Sequence, residues 1–372
     1  MATFSDLGIK KNYIKSLKEL GITTPTEIQE KAIPTLLKSN RDFIGLAQTG
    51  TGKTAAFGLP VLANVNSENS NVQALILAPT RELVQQIKKQ LFKFTKYNDN
   101  KIFVEGVFGG EKIDKQVKAL KRATHVVVAT PGRLIELIEQ NHLNISEVDT
   151  VVLDEADEML SMGFKKELNK ILEFTPNRRQ TWLFSATFPE GIKKIVKTYM
   201  SDTAIKVEID KESLVNKNIS HHNIPTSINE KLGVICQLLD RKDFKRGIIF
   251  SRTKAGVKTL AEQLQDEGFE VGALEGDMTQ KERDKVMRAF RNESLKVLVS
   301  TDVSARGIDV KDLEFVIHHQ LPEHLEYYTH RSGRTGRAGK RGMSIALTVA
   351  GEGQKLHEIE KALGIKFKVV RM

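Results

Sequence analysis

Two series of short apolar runs, separated by amphipathic stretches, constrain this chain more than any other feature. The first is FIGLA (43–47), ALILA (74–78), HVVVA (125–129), TVVL (150–153) and TWLFS (181–185). The second is GIIF (247–250), EVGALE (270–275), KVLVS (296–300), FVIHH (315–319) and SIALTV (344–349). Runs of this length and β-rich composition, alternating with helical patterns, describe strands of a parallel sheet covered by helices. Between Arg81 and Tyr97, Leu83, Ile87, Leu91 and Phe94 recur at helical spacing, which predicts a helix with these four in the core. The fold class is α/β.

At 372 residues the chain exceeds one ordinary core. The polar stretch DKESLVNKNISHHN (210–223), without sustained periodicity, predicts a linker over 210–221 between domains at 1–209 and 222–372. A composition of 40% hydrophobic and 28% charged residues is that of a globular chain. No run approaches the roughly 18 apolar residues of a membrane span, so no membrane partner is expected. MATFSDLGIKK lacks the apolar core of a signal peptide and Cys236 is the sole cysteine, which together predict a reducing, cytoplasmic setting. Lys and Arg outnumber Asp and Glu by 57 to 47, a balance suited to a polyanion such as nucleic acid. A generally basic cytosolic protein accounts for the charge equally well.

AQTGTGKT (47–54) resembles a phosphate-binding loop with Ala47 in place of the first glycine. Such a loop curls backbone N–H groups around phosphate oxygens, while a lysine and a hydroxyl reach the terminal phosphate and Mg²⁺. It leaves the end of FIGLA and enters TAAFGLPVLANV, a run able to form a helix whose N-terminus favours an anion. Ala47 lies upstream of the turn that must hug phosphate, so a small side chain there is tolerated if φ stays below zero. TVVLDEAD (150–157) supplies a partner: Asp154 is placed to hold Mg²⁺ and Glu155 to polarise an attacking water.

Other strand ends carry hydroxyls, glycines and arginines: PTREL (79–83), TPGR (130–133), SAT (185–187), SRT (251–253) and TDVSARGID (301–309). Groups of this kind donate to a phosphodiester backbone without reading bases. HRSGRTGRAGKR (330–341) holds Arg331, Arg334, Arg337, Lys340 and Arg341 with no acid among them. Alone it is a solvated basic loop. The spacing of Arg334 and Arg337 across Gly336 also suits two guanidiniums converging on a triphosphate.

Taken together, these ordered motifs resemble the DEAD-box ATP-dependent RNA helicases of helicase superfamily 2, over residues 4 to about 350. The resemblance implies two RecA-like domains, each a mainly parallel sheet flanked by helices, with ATP and Mg²⁺ as cofactors. GITTPTEIQ (21–29) is similar to the family's adenine motif, with Gln29 bonding the adenine edge and Phe4 stacking nearby. The family's phosphate loop normally begins with alanine. The resemblance thus assigns the loop Ala47, Gln48, Thr49, Gly50, Thr51, Gly52, Lys53 and Thr54 to nucleotide, with Thr54 and Asp154 on Mg²⁺.

By the same resemblance Glu155 serves the attacking water, Gly307 and Asp309 complete the nucleotide pocket, and Arg334 and Arg337 are arginine fingers. Asp157, Ser185, Thr187 and His330 couple hydrolysis to movement. Thr80, Arg81, Gly110, Thr130 and Arg133 contact RNA from the first domain, and Arg252, Gln280, Arg283 and Thr301 from the second. Ser304 stands where alanine is commoner, with no chemical consequence evident from sequence. The implied activity is RNA-stimulated hydrolysis of ATP to ADP and phosphate, with local unwinding of short RNA duplexes by a monomer indifferent to base sequence. An ATP-gated RNA clamp, or a remodeller of RNA–protein complexes, is the alternative; DNA unwinding is a third reading.

Overall fold

Each of those apolar runs forms a strand, because a strand covered on both faces must be apolar at successive positions. The computed structural model describes residues 2–48, 50–178, 180–209, 218–305, 313–336 and 340–372, and the chain divides into two compact units, Met1–Ile209 and Asp210–Met372.

In the first unit α1 (Lys11–Glu19) and α2 (Glu27–Lys38) precede β1 (Phe43–Leu46), α3 (Lys53–Asn64), β2 (Ala74–Leu77) and α4 (Arg81–Phe94). There follow β3 (Val104–Val107), α5 (Ile113–Leu120), β4 (Val126–Ala129), α6 (Pro131–Glu139), β5 (Thr150–Leu153), α7 (Ala156–Ser161), α8 (Lys165–Glu173), β6 (Gln180–Ser185), α9 (Glu190–Tyr199) and β7 (Ile205–Glu208). The sheet is parallel in the order β3-β4-β2-β5-β6-β1-β7. One core packs Phe43, Phe57, Trp182 and Phe184 with α1 to α4, and the other packs Leu75, Val127, Val151 and Leu183 on the opposite face. The four helical positions Leu83, Ile87, Leu91 and Phe94 are buried as their spacing requires.

The second unit runs β8 (Ile219–Pro225), α10 (Lys231–Leu239), β9 (Gly247–Phe250), α11 (Lys254–Asp266), β10 (Val271–Leu274), α12 (Gln280–Arg291), β11 (Val297–Ser300) and α13 (Asp302–Ala305). It continues through β12 (Phe315–His318), α14 (Leu325–Ser332), β13 (Gly342–Thr348), α15 (Gly353–Leu363) and β14 (Lys368–Val369). Its parallel sheet has the order β10-β11-β9-β12-β13-β8-β14.

The strand β8 corrects the linker expectation, since Ile219, Ser220 and His221 pair with β13 in register from Gly342↔Ile219 to Thr348↔Pro225. Its buried positions mix the polar His221 and Asn223 with the aliphatic Ile219 and Ile224, so no continuous apolar run marks it. Each polar side chain makes a hydrogen bond to another element, His221 Nδ1 with the Tyr328 hydroxyl at 2.7 Å and Asn223 Oδ1 from the Thr348 hydroxyl at 2.8 Å, while His221 Nε2 is buried without a partner among the described residues. The rest of the expected linker, 210–217, lies outside the described residues. Among the described residues no helix is long and apolar enough to cross a membrane.

Candidate nucleotide site and nucleic-acid interface

Ligands of open parallel sheets gather beyond the carboxyl ends of the strands, and the first unit places its motif residues there. The loop after β1 turns at Gly50 and Gly52, with φ of 83° and 91°, values that an L side chain rarely adopts. Ala47 is not among the positive-φ residues and continues the sheet, donating its N–H to the Ser185 carbonyl at 2.9 Å. An alanine therefore fits the position. Lys53 opens α3 and its Nζ donates to the Ala47 carbonyl at 2.8 Å, spanning the loop from one end to the other. Thr51 donates its hydroxyl to Gln48 O at 2.8 Å, and Thr54 follows in the first turn of α3. Thr49 lies outside the described residues.

Gln29 latches this loop. Its Nε2 donates to Gly52 O at 2.9 Å while its Oε1 accepts from Thr26 N at 3.0 Å. A Cβ on Gly52 would fall 2.3 Å from Gln29 Nε2, so the two positions are sterically matched. The hydroxyl of Thr26 adds a bond to Thr51 O at 2.7 Å. Sequence reasoning missed Thr26; the T-x-x-Q capping pattern at the start of α2 was the available signal. Phe4 is 3% exposed and packed in the core, so a base could stack only on the small part of the ring left open.

Asp154 follows β5 and is 3% exposed. Burial pushes its carboxyl up to about 7 and neighbouring Glu155 adds to the rise, against the opposing pull of the Lys53 ammonium and of the Glu155 N–H, which donates to Asp154 Oδ1 at 3.0 Å. Glu155 sits in the left-handed region at φ 50°, just before α7. Asp157 links this helix to the end of β6. Its Oδ2 accepts from Thr187 N at 2.9 Å and from the Thr187 hydroxyl at 2.8 Å, while its own N–H reaches the Ser185 hydroxyl at 3.3 Å. The three residues are therefore one junction.

A second group gathers at the ends of β2, β3 and β4. Thr80 caps α4 by accepting from Leu83 N, and Thr130 begins α6 ahead of Pro131. Arg81 lies over the Phe108 ring at 4.9 Å and its Nη1 donates to Gly110 O at 3.2 Å. Arg133 donates to Glu111 O at 3.0 Å and pairs with Glu136 at 2.8 Å. Both arginines thus brace the turn at Gly110, whose φ is 78°. Phe108 and Glu111 were not singled out from sequence, because a ring under an arginine and a backbone acceptor leave no motif.

In the second unit Arg283 donates to Ser304 O at 2.7 Å, and Thr301 donates to Ser304 Oγ at 3.0 Å. Gln280 bonds Asp284 at 2.8 Å on α12. Arg252 donates its backbone N–H to Gln320 Oε1 at 3.0 Å. His330 lies within α14 and Arg334 directly after Gly333 at its end. Arg331, counted from sequence with the basic run, is instead 1% exposed and forms a two-bonded pair with Asp302, at 2.5 and 2.7 Å. Gly307, Asp309 and Arg337 lie outside the described residues.

Residues 26–195 match the family model DEAD/DEAH box helicase, and residues 230–339 match the helicase conserved C-terminal domain. The chain is 41% identical over 372 residues to the DEAD-box ATP-dependent RNA helicase CshA of Geobacillus kaustophilus, covering all of this chain and 78% of that relative. It belongs to the DEAD-box ATP-dependent RNA helicases. CshA of Bacillus subtilis is 40% identical over 370 residues, 100% of this chain and 74% of that relative. Among solved structures, S. cerevisiae Dbp5 bound to RNA and ADP–BeF3 is 32% identical with a TM-score of 0.91, over 100% of this chain and 96% of that one. The two seven-stranded parallel sheets are accordingly the RecA-like domains of a DEAD-box helicase.

Proposed function

We propose that this DEAD-box chain binds ATP with Mg²⁺ together with RNA, hydrolyses ATP to ADP and phosphate, and locally separates short RNA duplexes in a cytoplasmic setting. The observation that carries the reading is the Asp157–Thr187–Ser185 junction, placed directly after the Asp154–Glu155 pair. It joins the residues nearest the phosphate loop to the strand end from which a conformational change would propagate.

The donor set fits Mg²⁺, a hard cation that takes oxygen ligands, keeps several waters and is shared with phosphates. Asp154 and Thr54 would hold it. A buried carboxylate whose charge is disfavoured by burial is stabilised by a cation, which when bound would neutralise developing phosphate charge. Lys53 would hold the terminal phosphates after leaving the Ala47 carbonyl, and Glu155 would orient the attacking water. Among the described residues Gln29 keeps one amide proton and one lone pair beyond its latch bonds, the complement of an adenine edge. Arg334 and Arg337 would meet phosphate charge, and Gly307 and Asp309 would contribute to nucleotide binding. The braced turn at Gly110, with Thr80, Thr130, Arg252, Gln280, Arg283 and Thr301, would hold the RNA backbone.

The test is ATP turnover with and without single-stranded RNA, beside separation of a short RNA duplex. RNA-stimulated turnover with strand separation is expected, and Lys53→Ala should lose turnover while remaining folded. ATP-dependent retention of RNA without strand separation would make the protein a clamp. Equal activity on matched DNA would remove the RNA assignment.

A further inference from the structure

We propose that Ser304 sets the hydrogen-bonding sense of Thr301, making its hydroxyl an acceptor that reads the ribose 2′-hydroxyl of the bound strand. The proposal rests on the reading that Thr301 faces RNA. Thr301 follows β11, and Ser304 lies three residues on, in α13. Two expected RNA contacts from different elements meet at Ser304: Arg283 of α12 on its backbone carbonyl at 2.7 Å, and Thr301 on its hydroxyl oxygen at 3.0 Å. Ser304 is 2% exposed and Thr301 8%, so Ser304 acts through Thr301 and is a positioning residue.

A hydroxyl has one proton and two lone pairs. Thr301 gives its proton to Ser304 Oγ and one lone pair to the Ser304 N–H at 3.3 Å, which among the described residues leaves a single lone pair for a ligand. A phosphate oxygen only accepts, so it cannot use that lone pair. A ribose 2′-hydroxyl donates and can, and this group separates RNA from DNA. With alanine at 304 the Thr301 proton would be released to a phosphate, a group both nucleic acids share. The serine therefore exchanges a backbone contact for a sugar contact. The Arg283 bond goes to the Ser304 main chain, so replacing the side chain leaves it in place.

The experiment measures affinities of the full chain for matched single-stranded RNA and DNA at constant salt with a non-hydrolysable ATP analogue. RNA strands carrying one 2′-deoxy sugar at successive positions are measured in parallel. Wild type should lose about fivefold affinity at one sugar position, the worth of one net hydrogen bond. In Ser304→Ala that position should become silent and the RNA-to-DNA ratio should fall by a similar factor, with unchanged melting temperature; Ser304→Thr, which keeps the hydroxyl, should restore both. Wild type indifferent to every single 2′-deoxy substitution would overturn the proposal, as would a folded Ser304→Ala with the wild-type ratio. Thr301→Val separates the levels. If it leaves RNA affinity and discrimination unchanged, Thr301 is not an RNA contact and the underlying reading fails; if it lowers discrimination while Ser304→Ala does not, only the role of Ser304 fails.

Discussion

Asp157 holds Thr187 twice, accepting on Oδ2 from the Thr187 backbone N–H at 2.9 Å and from its hydroxyl at 2.8 Å. The same carboxylate accepts from Glu158 N at 3.1 Å, so α7 and the segment after β6 move as one body while these bonds persist. Thr187→Val removes the hydroxyl bond and keeps the backbone one. If the junction transmits hydrolysis to RNA, ATP turnover at saturating RNA should stay within about threefold of wild type while duplex separation falls by about tenfold or more. Parallel measurement of both rates checks this, and equal losses would show that the junction only supports the site.

The strained backbone at Glu155 gives a second test. A non-glycine residue at φ 50° costs about 1–2 kcal/mol relative to ordinary helical backbone. Glu155→Gly should relieve that strain and raise stability by about 0.5–1 kcal/mol in thermal melting, while abolishing hydrolysis. Glu155→Gln keeps the strain and shape but loses the base-like charge. It should bind ATP and RNA normally, release RNA slowly, and hydrolyse at least about a hundredfold more slowly. Wild-type hydrolysis in the Gln variant would place the water on another group.

The central strands and the phosphate loop were legible because their signals are local. A strand buried on both faces needs a continuous apolar run, and a loop that wraps phosphate needs glycine at positions such as Gly50 and Gly52. β3, β7 and β14 lie at sheet edges, where one side is uncovered and polar letters such as Glu105, Lys206 and Lys368 are tolerated, so no such run appears. β8 was illegible for a different reason: two of its four buried positions, His221 and Asn223, are polar and bond to partners far along the chain. Arg331 shows the same limit in the site, since a sequence letter carries charge but not whether an Asp302 lies opposite it. The Gln29 latch on Gly52 and the node at Ser304 likewise depend on contacts between segments that local spacing cannot reveal.

The histidines of the second unit predict a pH dependence of stability. Burial holds His221 and His319 down at about 4 and puts His318 well below its ordinary value; neighbouring Arg331, Lys231 and His222 act in the same direction. The folded state therefore takes up these protons later than the unfolded chain, which binds them near pH 6.5. Stability is fully present above pH 6.5 and is lost as pH falls toward 4. At pH 5.5 His221 alone should cost about 1 kcal/mol relative to pH 7.5. Melting of the full chain across this range should show the loss, and His221→Gln should reduce it while His318 and His319 keep the remainder. A melting temperature insensitive to pH between 7.5 and 5 would mean these rings are not held neutral.

The pair Arg331–Asp302 gives the sharpest contrast in magnitude. Arg331 is 1% exposed, bonds both oxygens of Asp302, donates to Gln320 O at 2.8 Å, and lies over the Phe250 ring at 5.1 Å. Removing one partner leaves a buried charge uncompensated, at a cost of about 3–5 kcal/mol. Asp302→Ala should destabilise the second unit by that amount in urea unfolding, and Arg331→Lys should recover little, because an ammonium cannot form two parallel bonds. By comparison Lys31→Ala breaks the exposed Lys31–Glu27 pair on α2, about half accessible on both sides, and should change stability by no more than about 0.5 kcal/mol. The buried pair also stands next to Thr301 and, through Gln320, supports the Arg252 backbone, so Asp302→Ala should weaken RNA binding even at temperatures where it remains folded. Losses of equal size in Asp302→Ala and Lys31→Ala would show that water reaches the Arg331 guanidinium.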